Sequence, residues 1–432
     1  MKLYSTKGQV AEVSFQEAVF KGLPDDNGLY MPTHIPQLPA SFFEKIHSLS
    51  FQEIAFEVTH CLLGDEIPKE DIKSIIDKSM NFDVPLVALN EDTYVLELFQ
   101  GPSLAFKDFG ARFMAQVMSY FLQKESKNIN ILVATSGDTG SAVAQGFLGA
   151  EGIEVTILYP SGKVSVNQEK QLTTLGQNIT ALEIDGVFDD CQKLVKTAFL
   201  DKELTSQMNL SSANSINIAR LIPQSFYYFW AYAQLAKNKK PLVFCTPSGN
   251  FGNLCGGLIA YKMGLPVKHF IAATNANDIV PEYINTGIFN AKASVPTLSN
   301  AMDVGNPSNF PRMIELFGKE YEEVIKMIFG FAFDDEETKL AIAEVYNDYD
   351  YVLCPHTAVG HLGVQAYLSE QQEEVNTVIL ATAHPSKFSD VVEPVIGTEP
   401  EMPDRLKEII KKEKVATKMS TDFEDFKRFL LS

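Results

Sequence analysis

An α/β fold of open, mostly parallel sheets is what this sequence predicts, and two observations carry the expectation. After residue 90 the chain alternates short apolar strands with helical segments, and the connections between them carry glycine. The pattern runs through two systems, near 130–210 and near 240–390, which implies two α/β lobes. At 432 residues the chain also exceeds what one hydrophobic core serves, so two or three packed units are expected.

Residues 1 to about 90 read as a separate N-terminal unit. A turn over 23–28 leads into a proline-rich crossing at Pro32, Pro36 and Pro39, and apolar periodicity predicts helices over 41–63 and 69–79. No constellation of chemical residues occurs there. The rest, 91–432, is expected to divide into a smaller lobe at about 126–210 and a larger one formed by about 91–125 and 211–432. Strands are predicted over 94–98, 129–134, 155–159, 242–245, 267–273 and 377–381. Helices are predicted over 108–123, from Ser141 and from Leu254, the last two each following a glycine-containing turn. In open α/β sheets ligands bind beyond the carboxyl ends of the strands, which is where both glycine turns fall.

Composition narrows the function. Hydrophobic residues make up 45% and charged residues 21%, an ordinary globular balance, and 30 Phe and 15 Tyr make the core aromatic-rich. The net charge of −19 argues against nucleic acid and anionic membrane surfaces as partners, since both call for basic patches. It leaves room for a phosphorylated small substrate in a locally positive pocket. The start, MKLYSTKGQVAEVSF, has no apolar run behind a basic segment, and the most apolar stretch, 221–236, is broken by Pro223, Gln224, Ser225 and Gln234. The five cysteines (Cys61, Cys191, Cys245, Cys255, Cys354) form no CxxC pair, and His356 and His361 lack a helical ligand spacing. A reduced, cytoplasmic protein with no metal site is expected.

Five motifs could carry chemistry. In 101–110, GPSLAFKDFG, Lys107 stands between Phe106 and Phe109 at a helix start; aromatic flanks desolvate an amine and suit a Schiff-base lysine, against the plainer reading of an exposed lysine. In 246–253, TPSGNFGN, glycines between a strand and a helix let backbone N–H groups converge on an anion, against an ordinary capped turn. It is neither the dinucleotide fingerprint GxGxxG nor a Walker loop. The turn 134–141, ATSGDTGS, offers hydroxyls and N–H groups to a carboxylate, or is simply a capped turn. In 211–220, SSANSINIAR, short donors and one planar cation suit a phosphate, or belong to a capped helix with a surface arginine. In 380–388, LATAHPSKF, Thr382 ends an apolar strand; His384 reads as structural, and the run 226–230 as buried helix core.

The order SLAFKDFG, ATSGDTGSA, SANSINIAR, PSGNFGN, ATAHPSKF resembles that of the threonine synthases, a family of fold type II pyridoxal phosphate (PLP) enzymes, and the likeness extends to YSTKGQ and GLPDDNGLYMP near the start. The resemblance implies two open α/β lobes plus an N-terminal unit, and PLP as cofactor. It matches Lys107 to the lysine that holds the cofactor. It matches Gly249, Asn250, Phe251, Gly252 and Asn253 to the loop around its phosphate, and Thr382 to the hydroxyl facing its ring nitrogen. Ser136, Asp138 and Thr139 match the turn that receives the substrate carboxylate beside the cofactor, and Asp138 is matched to a cofactor-binding position as well. Asn214, Ser215 and Arg220 match the positions that hold the substrate's phosphate. Asp138 replaces the Asn usual in fold type II enzymes, as this branch tolerates, and Cys354 stands where an acidic residue is expected before Pro355.

The reaction so implied is elimination of phosphate from O-phospho-L-homoserine and addition of water at Cβ, giving L-threonine, in a monomer or homodimer, with closure of the smaller lobe excluding water. The rivals are a serine or threonine dehydratase, which needs no second phosphate site, and a non-catalytic homologue, which would be expected to lose Lys107 or the glycine loop. A nucleotide-binding dehydrogenase is disfavoured by the missing fingerprint.

Overall fold

The computed structural model describes residues 1–125, 127–135, 137–372 and 374–432, with the side chain of Asp138 outside that description. Its centre is a six-stranded sheet in the order Ile328–Ala332, His269–Thr274, Leu242–Pro247, Asn376–Ala381, Thr93–Glu97, Leu86–Ala88. The first five strands are parallel and only Leu86–Ala88 runs antiparallel. Every residue of Leu242–Pro247 and Asn376–Ala381 is buried, as strands covered on both faces require. Cys245 pairs with Ile379 and Ala381 with Glu97, so three adjacent strands end along one edge.

A second sheet of five strands, all parallel, has the order Thr417–Met419, Ile179–Ile184, Ile153–Pro160, Ile129–Ala134, Leu210–Ser211. Its first strand comes from the end of the chain. The helix Phe423–Leu431 buries Phe426 in a cluster with Cys191, Leu194 and Val195, and Lys427 pairs with Asp201 and Glu203 at 3.0 and 2.8 Å. The chain's end therefore packs with the 126–210 segment, whereas the sequence reading assigned it to the larger lobe. A three-residue strand with two exposed positions has too little periodicity to announce itself.

The helix Lys107–Glu125 runs from the edge of the central sheet and packs against the helix Asp138–Phe147 of the smaller lobe. The N-terminal unit adds a three-stranded antiparallel sheet, Val13–Ser14, Lys2–Ser5, Tyr30–Pro32, and helices Phe51–Leu63 and Lys69–Ser79. The helix predicted over 41–63 is broken, because Ser50 and Glu53 form a capping box that starts a new helix after a short turn over 46–48. This unit is welded to the rest. Phe51 meets Phe109 and Trp230 with ring centroids 5.9 and 6.0 Å apart. Asn217 donates to the Val19 carbonyl, Ser211 to that of Phe20, and Arg312 to that of Tyr30.

Candidate active site

The loop carrying Lys107 crosses the end of the strand Asn376–Ala381. The Phe106 N–H donates to the Thr382 carbonyl at 2.9 Å and the His384 N–H to the Leu104 carbonyl at 3.1 Å, with Ala105 and Ala383 bridged between them. Lys107 is half-buried at the first residue of its helix, its Nζ 5.3 Å from the Phe106 ring centroid. Phe106 is thus the aromatic neighbour the sequence suggested. Phe109 turns instead into the core against Phe82 and Tyr227. Thr382 is buried beside the loop.

Behind Lys107 the loop is pinned by buried polar contacts. The fully buried Asp108 accepts from the Ser103 N–H at 2.9 Å, and burial raises its carboxyl to about 6. The Ser103 carbonyl accepts from Lys387 at 3.0 Å and from Gln171 of the smaller lobe at 3.2 Å. His384 is held at Nδ1 by Ser386, and desolvation lowers it to about 4, so it is neutral and structural at neutral pH.

On the adjoining strand the 246–253 turn is braced from within. Ser248 Oγ accepts from the Phe251 N–H at 2.9 Å and donates to Asn253 Oδ1 at 2.7 Å, while Asn253 Nδ2 donates to the Pro247 carbonyl at 3.1 Å. Tyr228, from the run read as plain core, reaches Thr246 Oγ1 at 3.1 Å and the Asn253 carbonyl at 2.8 Å. Phe251 takes a left-handed conformation (φ +58°) just before the helix Gly252–Lys262. A Cβ on Gly249 would stand 2.8 Å from Met302 Cα. A Cβ on Gly252 would instead find two side-chain amide nitrogens nearest, Asn309 Nδ2 at 3.3 Å and Gln224 Nε2 at 3.7 Å. A helix N-terminus faced by amide nitrogens is a fitting place for a phosphate.

The smaller lobe brings its own turn to the cleft. Thr135 Oγ1 accepts from the Gly137 and Gly140 N–H groups at 3.0 and 2.9 Å, and Gly137 has φ +148°. Thr139 is half-buried; Ser136 and the Asp138 side chain lie outside the described residues. Thr135, Thr139, Asn214 and Ser215 line a cleft of about 1360 Å³ between the N-terminal unit and this lobe. Lys107, Gly249 and Thr382 are not in its wall. Arg220 is not either. It is buried beneath, donating to the Ala213 carbonyl at 2.7 Å, with its guanidinium lowered to about 10 by desolvation. The structure therefore groups Lys107, Thr382 and the 246–253 turn at one sheet edge, and Thr139, Asn214 and Ser215 along the cleft, with Arg220 below.

This arrangement is that of a pyridoxal-phosphate-dependent enzyme: residues 83–383 match the family model of that description, and the chain belongs to that family. Within it the kinship is narrower. Residues 2–80 match the model "Threonine synthase N terminus" and 357–430 "Threonine synthase, C-terminal". The chain is 43% identical to the threonine synthase of Buchnera aphidicola (subspecies Schizaphis graminum), with both sequences fully covered. It superposes on the crystal structure of threonine synthase from Escherichia coli with TM-score 0.89 at 42% identity, covering 100% of this chain and 99% of that one. The PLP-bound threonine synthase from Brucella melitensis gives 0.94 at 34%, covering 100% and 98%. Among the described residues no helix is long and apolar enough to cross a membrane.

Sequence reasoning did not single out Tyr228, Asp108, Gln171 or Asn309, whose importance comes from what they reach across the fold. Only Asp108 left a trace, as an acid beside the key lysine.

Proposed function

We infer that this chain acts as a threonine synthase, converting O-phospho-L-homoserine and water to L-threonine and phosphate with PLP held through Lys107. The observation that carries the reading is the meeting of the Lys107 loop with Thr382, one strand from the braced 246–253 turn. That edge offers an amine, a neutral hydroxyl and a phosphate cradle in one row.

Bound PLP supplies the electron sink that makes the Cα and Cβ protons of an amino acid labile. The chain's residues do the rest. Gly249, Asn250, Phe251, Gly252 and Asn253 hold the cofactor phosphate, and Thr382 presents an uncharged hydroxyl to the ring nitrogen. Ser136, Asp138 and Thr139 would receive the substrate carboxylate, with Asp138 serving the cofactor as well. Asn214, Ser215 and Arg220 receive the substrate phosphate; a guanidinium carries five N–H donors, and the Ala213 bond uses one of them. Lys107 would take the Cα proton and a proton from Cβ, the γ-phosphate would leave as inorganic phosphate, a proton would be returned to Cγ to make the methyl group, and water would then add its hydroxyl at Cβ with a proton restored to Cα. Closing the smaller lobe over the cleft keeps water away until phosphate has left. One chain supplies every group named, so monomer and homodimer serve equally.

Borohydride reduction followed by peptide mapping tests the anchor, and phosphate release from O-phosphohomoserine tests the substrate. The label should fall on Lys107, and Lys107→Ala should lose it together with roughly 10²–10⁴-fold in phosphate release. A parent protein that stays colourless with added PLP would overturn the reading.

A further inference from the structure

Asn309 lies in the segment that covers the 246–253 turn. Its N–H donates to the Asn250 carbonyl at 3.2 Å, and its own carbonyl accepts from Cys255 Sγ at 3.6 Å. Ser308 also donates to Asn250 Oδ1, through its N–H at 3.1 Å and its hydroxyl at 2.6 Å. The segment and the turn are therefore one hydrogen-bonded body.

The Asn309 side chain is 0% exposed and its two ends differ. Oδ1 accepts from Arg312 Nη1 at 2.9 Å, and because a guanidinium only donates, the oxygen must face it. Arg312 is itself fully buried and fixed by the Tyr30 carbonyl, which accepts from Nε at 3.3 Å and Nη2 at 3.0 Å. The other end, Nδ2, has no hydrogen-bond partner among the described residues. It is aimed at Gly252, 3.3 Å from where a Cβ would stand, at the start of the eleven-residue helix Gly252–Lys262. A buried amide N–H₂ left unpaired carries the desolvation cost of a donor taken from water with nothing in exchange. A ligand oxygen at the helix N-terminus would remove that cost.

We propose that Asn309, oriented by Arg312, is a further ligand of the cofactor phosphate, donating from Nδ2 beside the backbone N–H groups of the 246–253 turn. Arg312 is then a positioning residue that ties the phosphate site to the N-terminal unit at Tyr30. This rests on the PLP reading above and extends it to two residues outside the loop.

The test compares PLP with pyridoxal, which lacks the phosphate, by equilibrium titration of the full chain. Asn309→Asp keeps the shape and the bond from Arg312 while replacing the donor with an acceptor. The variant should bind PLP at least tenfold more weakly than the parent and pyridoxal equally well, with a shifted phosphorus NMR signal for bound PLP. Should that variant not fold, Asn309→Ala must show the same split. Equal weakening of both ligands, or of neither, would overturn the proposal by making Asn309 purely structural. So would unchanged PLP affinity with a raised KM for O-phosphohomoserine, which would assign the donor to the substrate's phosphate. A parent that takes up PLP but labels no lysine would sink the Lys107 reading while leaving this measurement intact; a parent that takes up no PLP would sink both.

Discussion

The turns at 246–253 and 134–141 share a plan and differ in setting. Each follows a parallel strand, opens a helix, and is braced by one hydroxyl, Ser248 in the first and Thr135 in the second. The first is closed in: Gly249 abuts the Met302 backbone, and a covering segment is bonded to Asn250. The second borders an open cleft, its Thr139 is half-buried, and the nearest neighbour to a Cβ on Gly137 is the Gln168 side chain. Rigid packing suits a group that stays bound, and an open setting suits one that arrives and leaves each turnover. On the proposed function, the same strand–turn–helix unit would serve a resident phosphate in one lobe and a passing substrate in the other.

The Lys107 loop stands between the two turns, and its buried charge gives the largest expected effect. Asp108 is raised from 3.8 to about 6, chiefly by burial; the Ser103 N–H and the cations Arg112 and Lys387 oppose the shift without cancelling it. Arg220 and Arg405 also feel its charge. A carboxyl raised on folding favours the folded state while protonated. Its contribution is full below the unfolded value of 3.8 and is lost as pH rises through about 6, a span worth about 3 kcal/mol. Urea unfolding of the parent and Asp108→Asn between pH 4 and pH 8 reads this directly. The parent's stability relative to the variant should fall by about 2.5 kcal/mol across that window. A flat difference would mean that the loop is open to water, and so belongs with the mobile side of the comparison.

The next contrast sets glycine against glycine. Gly249→Ala puts a methyl 2.8 Å from Met302 Cα and 2.9 Å from its carbonyl oxygen, neither of which can swing aside. Overpacking of that kind costs about 2 kcal/mol. PLP affinity should drop roughly 30-fold, with little change in KM at saturating PLP. Gly137→Ala is strained by its φ of +148°, and its nearest neighbours are atoms of the Gln168 amide, the end of a flexible side chain. It should raise KM for the phosphorylated substrate and leave PLP titration alone. The two turns would lose their distinct roles if both variants moved the same constant.

How much of this was legible follows from what each feature depends on. The strands Leu242–Pro247 and Asn376–Ala381 and the turns after 134 and 247 were readable because local rules make them: continuous apolar runs, then glycine, then helical periodicity. Lys107 and Thr382 could be named from their motifs, but their contact through Phe106 exists only once a loop crosses a strand end more than 270 residues away. Arg220 read as either a surface group or a phosphate ligand, and the fold buries it under the loop it bonds. Asn309 had no local signal at all, because its orientation is set by Arg312 and, through it, by Tyr30 of the N-terminal unit. Sequence patterns encode the scaffold and the residues that sit at its turns, while groups that act through distant partners stay silent.

The smallest expected effects come from the two bracing hydroxyls, and they separate the turns most cleanly because nothing else is disturbed. Ser248→Ala removes the acceptor of the Phe251 N–H and the donor to Asn253 Oδ1. Thr135→Val, close to isosteric, removes the acceptor shared by the Gly137 and Gly140 N–H groups. Each variant loses these two bonds, each contributing about 0.5–0.7 kcal/mol net, so each should shift its constant by roughly fivefold to tenfold. For Ser248→Ala the shifted constant should be the dissociation constant of PLP. For Thr135→Val it should be KM, measured with PLP in excess. Titrating PLP into Thr135→Val is the sharper half of the pair. An unchanged affinity there would leave Asp138 as the smaller lobe's one link to the cofactor, whereas a weakened one would show that both turns grip the cofactor and that the open cleft is part of its seat.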